Sequence, residues 1–206
     1  LKFYQADALR THPSLVTGES TPSYLLHSDV VIPRVRDVCP WARFLVMLRD
    51  PVDRAYSHYQ MCADLSGAPE QREIRGASHY AGKSFEEAVE SDLAELEAAG
   101  VSVGMDPSEF QMKYASSRPM GHGGHSLLGR GLYALQLKPW LSAFGLANRG
   151  PGASANGVAS GEGPAQVMVL SLDDIKGEQV LVQGTMDGVF HHIGLPQADV
   201  RDTSAK

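Results

Sequence analysis

A chain of 206 residues that is 43 % hydrophobic is long enough for one domain with a sizeable core and too short for two ordinary ones. Its 24 acidic residues outnumber 18 basic ones, and the resulting net charge of −6 argues against a protein that coats nucleic acid through general electrostatics. Two cysteines, Cys39 and Cys62, exclude a disulfide framework and a four-cysteine zinc site, and leave their own pairing open.

Leu15-Val16-Thr17-Gly18-Glu19 predicts a short strand, ended by a loop at Ser20-Thr21-Pro22-Ser23, where proline and hydroxyl residues interrupt any periodicity. Arg34, Arg36, Arg43, Arg49 and Arg54 then concentrate positive charge in one stretch. Within it, Arg43-Phe44-Leu45-Val46-Met47-Leu48 is a continuous apolar run of the kind that forms strands buried on both faces of a parallel sheet. The run stops at Arg49-Asp50-Pro51. Asp50 is a good helix N-cap and Pro51 suits the first helical position, so a helix is expected from Pro51 to about Ala63.

Residues 64 to 83 are polar and contain glycine, which predicts a surface loop. Ser84-Phe85-Glu86-Glu87 is a capping box, and the spacing of Ala88, Leu93 and Leu96 carries a helix to a stop at Gly100. After an irregular stretch, Leu132, Leu135, Trp140, Leu141 and Phe144 have helical spacing, although Pro139 should kink that helix or cost it ~3 kcal/mol. Residues 145 to 164 are mostly Gly, Ala, Ser, Pro and Asn and predict a flexible insertion. Val167 to Leu172 is another buried-type strand, and Gln179 to Ile193 a helix weakened by Gly184 and Gly188. Alternating strands and helices imply an α/β fold with a parallel sheet. No window reaches the ~20 continuous apolar residues of a membrane span.

In open α/β sheets ligands bind beyond the carboxyl ends of strands, which directs the search to the residues after Leu48. The Arg49 guanidinium can hold a phosphate through paired hydrogen bonds, and Ser57 on the following helix can add a hydroxyl. Ser57 lies about 9 Å along the helix from Pro51, at ~1.5 Å per residue, so the anion would rest on the helix flank. Arg54, Ser57, His58 and Met61 are expected on one face, with Val52, Tyr56 and Tyr59 toward the sheet. The plain alternative is an Arg49 that pairs with Asp53 and a Ser57 without special duty. His122-Gly-Gly-His125 and His191-His192 lack carboxylate partners and are expected to bind no metal.

The segment Leu45 to Tyr59, LVMLRDPVDRAYSHY, resembles the 3′-phosphate-binding segment of the sulfotransferases that use 3′-phosphoadenosine 5′-phosphosulfate (PAPS), most closely the heparan sulfate N- and O-sulfotransferase branch. Three further segments agree in order and spacing: Gly18 to Leu25 resembles the family's substrate-side loop, Arg130-Gly131-Leu132-Tyr133 with Gln136 to Leu141 its later helix, and Val167 to Ile175 the following strand. The likeness covers roughly residues 15 to 63 and 127 to 196. It implies a P-loop NTPase-like three-layer fold around a central parallel sheet, with residues 1 to 206 forming one domain that is incomplete at its N-terminus.

The resemblance also implies roles. Arg49 and Ser57 would bind the 3′-phosphate of PAPS, Arg130 would contact cofactor or acceptor, and Glu19, beside Thr21 and Tyr24, would orient or deprotonate the acceptor, a hydroxyl or amine and by the likeness a glycan. PAPS would be the co-substrate, 3′,5′-bisphosphoadenosine the product, and no metal is demanded. The sequence departs from the family in Ser20, where relatives carry a lysine, and in lacking both the 5′-phosphosulfate loop, expected upstream of Leu1, and the basic loop after the last helix. Two alternatives are a nucleotide-binding domain without turnover and another transferase of the phosphate-loop class, although no GxxxxGK[ST] loop is present. Compartment follows only by likeness: Golgi lumen for eukaryotic relatives, cytoplasm for bacterial ones.

Overall fold

The computed structural model describes residues 11–12, 15–117, 126–146, 165–176 and 179–198. In chain order these form helix α1 (Ser28–Val38), strand β1 (Phe44–Leu48), and helices α2 (Pro51–Ala63), α3 (Pro69–Ile74), α4 (Ala77–Tyr80), α5 (Phe85–Ala98), α6 (Pro107–Ser117), α7 (Ser126–Gly129) and α8 (Tyr133–Phe144). Strand β2 (Val167–Ser171), a 3₁₀ turn (Leu172–Ile175) and helix α9 (Gln179–Ile193) follow. The fold is mixed α/β and mostly helical, around a two-stranded parallel sheet.

β1 and β2 pair in parallel from Phe44 opposite Val167 to Leu48 opposite Ser171. Alternation of side chains across the pleat then gives the sheet two different faces. Phe44, Val46, Val167 and Val169 meet Ile32 of α1 and Trp140 and Phe144 of α8. On the opposite face Met168 and Leu170 meet Met186, Val189 and Ile193 of α9. Their β1 neighbours Leu45 and Met47 stay 43 % and 47 % exposed. The expectation that β1 is buried on both faces is thus corrected: α9 covers β2 and leaves the adjoining half of that face open. His192, buried at the end of α9, points Nε2 at the carbonyls of Phe44 (3.2 Å) and Gln166 (3.1 Å) and ties α9 to the start of both strands.

Three further expectations change. Residues 15 to 19 form no strand, because Leu15 and Val16 are exposed and have no strand to pair with among the described residues. The loop expected over 64 to 83 contains α3 and α4, and α4 buries Ala77 and Tyr80 in the core. Helices α1 and α6 were not legible at all. The expected helices at Pro51–Ala63 and Gln179–Ile193 have those bounds, and the Ser84 capping box starts α5 as written, with Ser84 Oγ accepting from the Glu87 N–H. Pro139 lies inside α8 without ending it. Beyond Gly145 and Leu146, the glycine-rich insertion lies outside the described residues, as do His122 and His125.

Candidate functional site

Arg49 leaves the carboxyl end of β1, where the apolar run ends and the chain turns into α2. The Asp50 carboxylate accepts the N–H groups of Val52 (2.9 Å) and Asp53 (3.1 Å), so the helix N-terminus is already occupied by an anion of the protein itself. A ligand phosphate is therefore directed to the helix flank. Nη2 of Arg49 lies 3.8 Å from Oδ2 of Asp53. Asp53 and Ser57 are four residues apart and both exposed, which places them on one solvent-facing flank of α2. Through Asp53, Arg49 is drawn toward the flank that carries Ser57. The pairing named as the plain alternative is present, in a long and solvated form that leaves the Arg49 side chain 35 % exposed and able to exchange partners.

The face assignment on α2 is corrected. The helix buries Ala55, His58 and Cys62, at spacings of three and four, and Ala55 and Cys62 pack with Tyr80, Ala88 and Leu127 rather than with the sheet. Val52 and Tyr56 are exposed, and of the three residues expected toward the sheet only Tyr59 is covered, its hydroxyl donating to the Lys83 carbonyl (2.6 Å). Arg54 and His58 turn inward while Ser57 and Met61 face solvent, so the four do not form one face. The small side chains at 55 and 62 let the neighbouring helices approach, and that contact outweighs the pull of the larger but peripheral Val52 and Tyr56.

Glu19, Thr21 and Tyr24 do come together. The Tyr24 hydroxyl is hydrogen-bonded to Glu19 and to Thr21, and the Glu19 carboxylate, by holding the phenolic proton, pushes the Tyr24 pKa upward. The loop is anchored just beyond this group, where the Leu25 carbonyl accepts from Trp140 Nε1 (3.2 Å) and the buried Leu26 carbonyl accepts from Gln111. All three side chains are accessible, as an acceptor-side group requires.

Arg130 follows α7 and is half-buried, with Nε shielded from solvent. It is hydrogen-bonded to Tyr114, whose pKa burial raises and this contact lowers. Its charge also acts on Arg54 and on His27, whose pKa is lowered first by burial and then by Arg130. The side chain therefore looks inward, toward α2, α6 and the start of α1. Its backbone lies elsewhere: a Cβ on the next residue, Gly131, would stand 3.4 Å from Pro51 Cβ, so the turn after α7 rests against the turn that carries Arg49.

Beneath these groups lies a polar cluster that no motif announced. Asp92 of α5, 1 % exposed, accepts the N–H of Leu128 (2.9 Å) and that of Leu127, and the Tyr80 hydroxyl at 3.4 Å. Burial raises its pKa to about 6 against the lowering effect of those donors. Arg54 donates to the Leu127 carbonyl and feels the Asp92 charge. Asp92 occupies the middle of the stripe Ala88, Asp92, Leu96, a core position by helical period, and a carboxylate there was the available signal. Among the described residues no group of three or more His, Cys, Asp or Glu is arranged to hold a metal, and no helix is long and apolar enough to cross a membrane. Comparison of the chain with protein-family models, with curated proteins and with solved structures gave no match.

Proposed function

We propose that the chain is a PAPS-dependent sulfotransferase domain in which Arg49 and Ser57 hold the 3′-phosphate of the nucleotide. The observation that carries this reading is local: Arg49, at the carboxyl end of a parallel strand, reaches Asp53, which lies one turn before the exposed Ser57 on α2, while Asp50 closes the helix N-terminus. An incoming phosphate offers the guanidinium two charge-assisted hydrogen bonds in place of the long contact to Asp53. The packing of helices on both faces of the β1/β2 pair supports the finer proposal of a P-loop NTPase-like three-layer arrangement.

In the reaction so proposed, Glu19 takes the proton of an acceptor hydroxyl or amine. The freed lone pair attacks sulfur in line, and the bond between sulfur and the bridging oxygen of the 5′-phosphate breaks. Its electrons leave with 3′,5′-bisphosphoadenosine, whose charge fixed cationic groups stabilise. Thr21 and Tyr24 orient Glu19, and Arg130 contributes positive charge from behind the strand-end turn. The acceptor class, a glycan, rests on the resemblance of the Gly18 to Leu25 loop.

Calorimetry decides the nucleotide half. The chain should bind 3′,5′-bisphosphoadenosine more tightly than 5′-AMP, and Arg49→Ala should weaken the former at least tenfold, about 1.4 kcal/mol, with little change in the latter. Equal affinity for the two nucleotides would remove Arg49 and Ser57 from the site. A second reading, nucleotide binding without turnover, is favoured by the Asp53 carboxylate beside Arg49. Turnover of PAPS with a polysaccharide acceptor, lost in Glu19→Gln by about 10²-fold or more as expected on removal of a general base, separates the two.

A further inference from the structure

The turn Leu127–Gly131 is fastened from several sides. Asp92 of α5 takes its first two N–H groups, Arg54 of α2 donates to the Leu127 carbonyl, and Gln136 Nε2 donates to the carbonyls of Gly129 (3.2 Å) and Arg130 (3.1 Å). The Gly131 N–H closes the turn on the Leu128 carbonyl (2.8 Å). Gly129 lies so close to the Tyr114 ring that a Cβ there has no room, and Gly131 lies against Pro51. A turn held this firmly is a fixed wall for its surroundings, and at Gly131 it adjoins Pro51, two residues beyond Arg49.

We propose that Asp92 is a positioning residue for the nucleotide site: with Arg54 it locks the Leu127–Gly131 turn, and the turn in contact with Pro51 sets the direction in which Arg49 leaves β1. The proposal rests on the sulfotransferase reading for its ligand. Its physical basis is the pairing of one buried carboxylate with two backbone N–H donors and a nearby guanidinium. Remove the carboxylate, and both N–H donors lose their partner in a site closed to water, while Arg54 keeps its bond to the Leu127 carbonyl. The turn must then shift to find others, and Gly131 carries the shift to Pro51. Asp92 itself touches no ligand.

The test is a double-mutant cycle on affinity for 3′,5′-bisphosphoadenosine. Asp92→Ala should weaken binding about fivefold or more, the lower range of coupling between distinct sites. Asp92→Asn, which keeps one acceptor oxygen, should recover part of it. Because Asp92 acts through Arg49, adding Arg49→Ala to Asp92→Ala should cost much less than the sum of the single losses. Additive losses, or an affinity of folded Asp92→Ala equal to that of the unaltered chain, overturn the proposal. If Asp92→Ala does not fold, Gly131→Val probes the last link by crowding the Leu128 carbonyl within the turn and bringing its side chain against Pro51, and unchanged affinity in that variant overturns the proposal as well. Amide resonances of Arg49, Val52 and Asp53 give a readout free of nucleotide: they should move in Asp92→Ala. If they move while the unaltered chain shows no preference for the 3′-phosphate, the nucleotide reading falls and the mechanical link stands; if they do not move, the link falls.

Discussion

Asp50 shows how much one side chain decides locally. Its carboxylate binds two N–H groups that open α2, so Asp50→Ala should cost about 1 kcal/mol in urea unfolding, the usual loss for a deleted N-cap. Cys62 is decided by its surroundings instead. Its Sγ donates to the Arg75 carbonyl (2.7 Å), and burial pushes the thiol up to about 11, so almost no thiolate forms at neutral pH. Both cysteines are free thiols, and Cys39 is partly exposed. A disulfide reagent at about pH 8 should titrate one fast thiol, abolished in Cys39→Ser, and a second only on unfolding. Two equally fast thiols would contradict the burial of Cys62. The Asp50 cap was legible because it needs only its next three residues; the character of Cys62 was not, because residue 75 supplies its partner.

Among the elements, the two helices whose start signals are complete within a few residues were read correctly. The Ser84 capping box and the Asp50-Pro51 start are complete within four residues, and both helices begin where those signals lie. Helix α1 gave the opposite signal: Val30-Val31-Ile32-Pro33 combines a β-branched run with a proline, both unfavourable in a helix. It is helical because Ile32 is buried against Trp140, Phe144 and Val167, partners more than a hundred residues away. Turn α7 depends on its neighbours in the same way. A methyl on Gly129 would run into the Tyr114 ring, so Gly129→Ala should destabilise the chain by about 1–3 kcal/mol, the range for overpacking, measured by thermal or urea unfolding. A neutral result would place Tyr114 elsewhere.

At the scale of the whole molecule, the unequal covering of the sheet makes a sharp prediction. Leu170→Ala empties a buried position against Val189 and should cost about 2–5 kcal/mol, whereas Met47→Ser, across the ladder but on the open half of the same face, should change stability by about 0.5 kcal/mol or less. Comparable losses would mean that the open half is covered in solution. Stability should also respond to pH through two buried groups of opposite sign. The His192 pKa is lowered, first by burial and then by Arg43. Below its ordinary value near 6.5 the unfolded chain takes up a proton that the folded one refuses, so this contribution is present above that pH and is lost in acid. Asp92 is raised to about 6, so the folded chain keeps a proton that the unfolded one releases near 4. Its contribution is full below about pH 4 and lost as pH rises through about 6, by about 3 kcal/mol. Urea midpoints from about pH 4 to 7 should therefore lose their downward slope between about 4 and 6 in Asp92→Asn.

By itself the sequence determined the strand–turn–helix unit at 44–63, the capped helix at 85–98, the second strand and the last helix, together with Arg49, Ser57 and Glu19 as the residues to suspect. Each of these depends on neighbours a few positions away, which hydrophobic period, caps and proline record directly. The tertiary structure alone decided that α2 packs through Ala55, His58 and Cys62, that β1 keeps one face open, and that a buried Asp92 accepts the N–H groups that open the turn after residue 126. Those outcomes depend on which distant surfaces meet, and burial energy and the desolvation of a charge are set by that meeting rather than by local spacing.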